Sequence, residues 1–207
     1  MRHEALLTAD EIVILKGLVG QPMKRLTGEV FGHEQFRVVY LYVSEDTIVV
    51  FGGCEEEAST PEYSGAEVGR VWVDRFTEEE RQKKYGKCAM EVFGSDLGVV
   101  RSISRARTVI SFNYARREKT RTTASGEVKP AGSIYGYSPV FHHPERATEM
   151  QGHLVDTDLG VLLETSTDQC IFIYNENGNS IYVAIRLDGT LPEELVGNLE
   201  FIQLART

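Results

Sequence analysis

FRVVYLYVSEDTIVVFGG (36–53) reads as a strand, a polar turn and a second strand, and DLGVLLETSTDQCIFIYNENG (158–178) reads the same way. Both runs are rich in β-branched and aromatic residues, and both turn at a Ser-x-Asp tip, as a β-hairpin requires. Aligned on Asp46 and Asp168 they match without a gap, Val39 with Val161, Leu41 with Leu163, Ser44 with Ser166, Val49 with Ile171 and Val50 with Phe172.

The order of features continues outward from each hairpin. The first is followed by GRVWVDR (69–75), FTEEERQKKYG and KCAMEVF (87–93), the second by NSIYVAIRL (179–187), GTLPEELVG and NLEFIQL (198–204). Thr77 with Glu80, and Thr190 with Glu193, have the Thr-x-x-Glu spacing of a capping box, with Gly86 and Gly197 as helix stops. Upstream, KRLTGEVF (24–31) is faintly echoed by RARTVISF (105–112), and Trp72 is matched by Tyr182. The expectation is a mainly β (α+β) protein. Two tandem, weakly similar β-hairpin–β–short α–β repeats pack as one pseudo-symmetric body, since a unit of roughly 60 residues is marginal alone. The first repeat, 1–94, carries an additional N-terminal helix over about 9–19. Thr8 and Glu11 form its capping box, Ile12, Leu15 and Val19 share its apolar face, and Gly20-Gln21-Pro22 stops it.

The second repeat, 95–207, contains an insertion at about 114–157. Loops beyond roughly 12 to 15 residues are uncommon in compact domains unless functional or disordered, so this segment is where function is expected. Residues 108–117 alternate, Ser125-Gly126 suits a turn, and the chain from Glu127 suits a returning strand, which makes a basic β-arm. PERATEMQ (144–151) is predicted as a short helix with Pro144 first and Gly152 beyond its end.

Charge is segregated. Residues 101–130 hold Arg101, Arg105, Arg107, Arg116, Arg117, Lys119, Arg121 and Lys129 against Glu118 and Glu127, leaving 14 basic and 29 acidic residues elsewhere in a chain of net charge −9. Such an arm meets an anionic partner or packs on its own acidic body. With 42% hydrophobic and 26% charged residues the composition is that of a globular chain. The longest apolar runs, such as VVYLYV (38–43), are strand-sized, far short of the roughly 20 residues of a membrane helix. Asp10 and Glu11 interrupt any signal-like N-terminus. Cys54, Cys88 and Cys170 are scattered and odd in number, which points to a reducing compartment, the cytoplasm, and away from a disulfide framework.

The binding surface expected on the insertion comprises Arg116, Arg117, Arg121, Tyr135, Tyr137, Phe141, His142 and His143, because exposed aromatics with arginine are enriched at protein interfaces. The function read from this is a non-enzymatic protein-binding or neutralising module, its partner another protein, with no membrane and no cofactor. Two alternatives remain open. His142, His143, Glu149 and His153 have ligand chemistry for a metal-dependent enzyme, but adjacent histidines and a glycine before His153 are poor spacing. The basic arm has the chemistry of a nucleic-acid binder, against an overall pI near 5.1. No nucleophile elbow or phosphate loop is present, and Glu55-Glu56-Glu57 reads as a solvated loop.

Overall fold

The computed structural model describes residues 2–32, 35–58, 67–86, 90–122, 128–175, 181–186 and 190–207. The hairpin signals become strands of two sheets. Five strands form the first: β2 (Arg25–Gly32), β3 (Gln35–Tyr42), β4 (Ile48–Glu57), β5 (Glu67–Phe76) and β6 (Met90–Ser95). They lie in the order β5-β4-β3-β2-β6, all antiparallel. The second sheet has a spine of β7 (Val100–Thr122), β9 (Leu154–Thr165), β10 (Cys170–Tyr174), β11 (Tyr182–Arg186) and β12 (Glu200–Arg206), ordered β11-β10-β9-β7-β12. It gains β8 (Val128–His142) on β7 and β1 (Arg2–Ala5) parallel to β9.

Turn chemistry sets the hairpin registers. In β3–β4 the Asp46 N–H is received by Ser44 Oγ and Leu41 stands opposite Val49. In β9–β10 Asp168 takes φ +56°, a left-handed conformation that aspartate tolerates, and Leu163 stands opposite Ile171. Trp72 faces Gly52 and Tyr182 faces Tyr174. A Cβ on Gly52 would lie 2.2 Å from the indole, so glycine is required where the ring crosses the strand.

The inner faces share one core. Leu26, Val39, Leu41, Val49, Phe51, Val71 and Val73 of the first sheet pack with Val100, Ile103, Val161, Leu163, Ile171 and Ile173 of the second. Each such side chain contributes roughly 1.5–3 kcal/mol through burial. The helix α1 (Ala9–Lys16) adds Leu15 to this core. Both of its capping-box bonds form, Thr8 N–H to Glu11 and Glu11 N–H to Thr8 Oγ1. It ends at Lys16, three residues before Val19, with Gly17 as its C-cap, and a turn carries the chain on to Gly20. The outer face of the first sheet, with Tyr40, Ile48, Val50 and Trp72, is covered by α2 (Glu78–Tyr85), whose Lys84 Nζ lies 4.6 Å from the Phe76 ring. Val196 of α3 (Glu193–Val196) packs on the other outer face with Phe172 and Leu199.

Three expectations need correction. Thr190 does not open α3, whose N-cap is Pro192, without a side-chain cap. Residues 144–149 form consecutive turns and no helix, with Ala147 N–H directed to His143 O and Pro144 O while its side chain is buried beside Val109 and Leu154. Glu55, Glu56 and Glu57 are the end of β4, paired with Gly69, Val68 and Glu67 of β5, and Glu56 forms an ion pair with Arg70.

A candidate interaction arm

The segment expected to be an insertion begins on the long strand β7. Its first half lies within the sheet, between β9, which follows it as far as Ser111, and β12, which follows it as far as Arg107. Beyond Phe112, β7 has β8 as its sole ladder partner among the described residues, and the pair runs from Val109–His142 to Thr122–Val128. A two-stranded ribbon therefore leaves the sheet, and neither outer edge has a ladder partner among the described residues. Ten residues of strand at about 3.3 Å each carry it roughly 30 Å.

The root of the ribbon is held by apolar packing and by two histidines. Phe112 and Phe141 pack on Ala5, Ala58, Val68, Ile110 and Val155. Ser111 Oγ and His142 Nε2 share a hydrogen bond of 2.8 Å, and the Thr108 hydroxyl donates to His142 O at 3.1 Å. His153 is buried, with Nε2–H donating to Ala58 O at 2.6 Å and its ring stacked on Phe112 at 5.6 Å. His143 is half-buried at the first turn after β8, and Glu149 is exposed. Among the described residues no three histidine, cysteine, aspartate or glutamate side chains gather where they could hold a metal ion.

The ladder places Arg116 opposite Tyr135, Tyr114 opposite Tyr137 and Arg121 opposite Lys129. The side chains of Arg116, Arg117, Arg121, Tyr135 and Tyr137, the Ser125-Gly126 turn and Cys88 lie outside the described residues.

The basic segment divides in two. Arg105 and Arg107 turn inward onto Asp158, which is fully buried, with Arg105 Nη1 at 3.2 Å from Oδ2 and Arg107 Nε at 3.6 Å from Oδ1. Asp158 Oδ2 also accepts the Leu7 N–H at 2.9 Å, which ties the chain before α1 to β9. Arg101 pairs with Asp168 at the surface, 2.7 Å. These three arginines are engaged by the fold. The five basic residues of 113–138 are those the ribbon carries outward.

A second polar cluster joins α1 to the first sheet. Burial pushes the Glu11 carboxyl up, but the N–H groups of Thr8 and Val73 and the Arg70 guanidinium outweigh it and hold the group below the usual carboxylate range. Sequence spacing identified Glu11 as a capping residue only. Its contact with Arg70 spans 59 positions and leaves no local signal.

Two open hollows lie near the hairpin turns. One of about 290 Å³ is lined by Arg101, Ser102, Glu164, Thr165, Asp168 and Arg206, and one of about 410 Å³ by Lys24, Arg25, Tyr42, Ser44, Glu45 and Glu78. Several of their polar groups have partners: Arg101 pairs with Asp168, Ser102 donates to Glu164, and Glu78 pairs with Arg81 of α2. No helix among the described residues is long and apolar enough to cross a membrane. Comparison with protein-family models, with curated proteins and with solved structures finds no match.

Proposed function

We propose that this chain is a non-enzymatic protein-binding module of the cytoplasm, and that the β7–β8 ribbon is its contact element. The observation that carries the reading is the ribbon itself, two strands extending past the sheet with no further ladder partner among the described residues. A lone two-stranded ribbon is at best marginally stable in water, so a partner that pairs with an edge or covers a face supplies what the sheet does not. Arg116, Arg117, Arg121, Tyr135 and Tyr137 are the contact residues of this reading. Phe141 and His142 brace the root, and His143 lies at the turn where the ribbon rejoins the body.

The body that presents the ribbon is, in this reading, a duplicated unit with pseudo-twofold symmetry. Its support is the shared strand order of the two sheets and the matching ladder pairs, Leu41–Val49 with Leu163–Ile171 and Val39–Phe51 with Val161–Ile173. The ladders also set Leu26 opposite Leu41 and Ile103 opposite Leu163. The first strand of each unit then corresponds as Leu26 with Ile103, four residues from the alignment of KRLTGEVF with RARTVISF. The ribbon is the element of the second unit that the first lacks.

The test replaces 113–138 with a short Gly-Ser turn and installs a photo-cross-linking residue at Tyr135 in the full chain. The shortened protein is expected to melt within a few degrees of the full chain and to lose partner capture in reconstitution with the cross-linked protein. Undiminished binding by the shortened chain would refute the reading.

A further inference from the structure

We infer that the ribbon's partner is a second copy of this chain, and that the ribbon docks along the open edge of β6. The inference rests on the binding reading above and names its partner. β6 ends the five-stranded sheet, with β2 on one side and no ladder partner on the other among the described residues. Its first three residues are exposed in succession, Met90, Glu91 and Val92, the last at 60%, while Phe93 packs on the core beside Phe36. On the adjoining strand Val30 is 41% exposed, next to Glu29, which stands opposite Met90. The other edge of this sheet differs, because β5 buries Val68, Val71 and Val73.

An exposed apolar edge is a template for pairing, and folded proteins blunt such edges with lysine, proline or a covering segment. Met90–Ser95 contains no lysine and no proline. A strand laid along this edge pairs its free N–H and C=O groups and covers Met90 and Val92, the mode of recognition by strand addition.

The ribbon fits as that strand. Residues 131–138, past Lys129 and Pro130, outnumber the six of β6, and β7 is their one ladder partner among the described residues. Charge favours the same match. Residues 113–138 hold five basic and two acidic residues, and the rest of the chain 17 basic and 29 acidic. Glu91 and Asp96, at β6 and just past it, are exposed. Ribbon and edge are on the same chain, so two copies satisfy both by reciprocal exchange. The result is a closed twofold dimer in which each ribbon lies on the partner's β6.

Sedimentation velocity at low and at about 0.5 M salt tests this, since the electrostatic part is screened over a few ångström at the higher salt. The full chain is expected to be a dimer at low salt, with a dissociation constant at least about tenfold weaker at high salt. Two variants are each expected to be monomeric with unchanged melting: the chain with 113–138 replaced by a Gly-Ser turn, and Val92→Lys, which alters an exposed side chain. Mixed at equal concentration they are expected to form a heterodimer, because one retains the edge and the other the ribbon. A monomeric full chain at every salt, a dimeric ribbon-less chain, or no heterodimer overturns the inference. A monomeric full chain whose Tyr135 cross-links to a different protein ends this inference and leaves the binding reading standing. A ribbon-less chain that keeps every partner ends both.

Discussion

Asp158→Asn removes one negative charge from the most enclosed ionic cluster among the described residues and changes almost no volume. The carboxylate is fully buried, and the side chains of Arg105 and Arg107 are 17% and 21% exposed. Neither Arg105 Nε nor Arg107 Nε has a hydrogen-bond acceptor among the described residues, so Asp158 is the compensating charge for both. A guanidinium cannot shed its proton to escape burial. Removing one partner of a buried ion pair costs about 3–5 kcal/mol, and the asparagine oxygen recovers only the bond from Leu7 N–H. For a chain of this size each kcal/mol moves the melting temperature by roughly 2–4 °C, so the expected loss is of order 6–20 °C. Urea unfolding followed by the single tryptophan, Trp72, reads it as a lower midpoint at constant slope. Asp168→Asn is the control. Its contact with Arg101 is shorter, 2.7 Å, but the two side chains are 84% and 51% exposed, and asparagine tolerates the left-handed backbone there. The control is expected to change stability by less than about 1 kcal/mol. A small effect at Asp158, or equal effects at both positions, would refute the argument that burial decides the worth of these pairs.

Three further changes test other parts of the fold. Glu11→Gln is expected to lose about 1–3 kcal/mol at neutral pH by weakening bonds to Val73 N–H and Arg70. Because the folded carboxyl sits below its usual range, its contribution is present above the unfolded pKa and fades as pH falls through the folded one. Urea midpoints of variant and wild type should therefore converge in acid, and a gap that persists there argues against the assignment. Gly52→Ala drives a Cβ into the Trp72 ring and is expected to cost about 1–3 kcal/mol; unchanged tryptophan emission and stability would place the ring elsewhere. Thr77→Ala removes the cap of α2, whose Oγ1 receives Glu80 N–H, at a cost of about 1 kcal/mol measured by thermal melting, and no change would mean the cap contributes nothing to the fold.

Hairpins and two of the three helix starts among the described residues were legible because their signals are local. A turn residue, an alternating flank and a hydroxyl three residues before a glutamate each act within one segment. Thr190 and Glu193 have the same spacing, but Pro192 between them sets the start of α3, so Glu193 occupies the first helical position and not the third. PERATEMQ is too short to hold a helix by propensity alone, and burial of Ala147 against Val109 and Leu154 fixes it as turns. The glutamates of 55–57 read as a loop because charge runs usually are. The ladder to β5 continues through them, and Arg70 answers Glu56 across it. Least legible was Asp158. Its arginine partners are about fifty residues away in sequence, and a register shift after Ala106 sets Arg107 opposite it.

That register shift also changes what the charge pattern means. Read along the chain, residues 101–130 present eight basic side chains as one block. In the fold Arg101 pairs with Asp168, and Arg105 and Arg107 share Asp158, so all three are engaged by the body itself. The five on 113–138, set against Glu118 and Glu127, are a net excess of three. Excising that segment should therefore shift the net charge from −9 to −12 and leave all three arginine–aspartate contacts in place. Stability should hardly move, while any salt-sensitive association should vanish. If stability fell as far as in Asp158→Asn, the ribbon would be part of the core's own support, and the division of the basic segment into an inner and an outer part would be wrong.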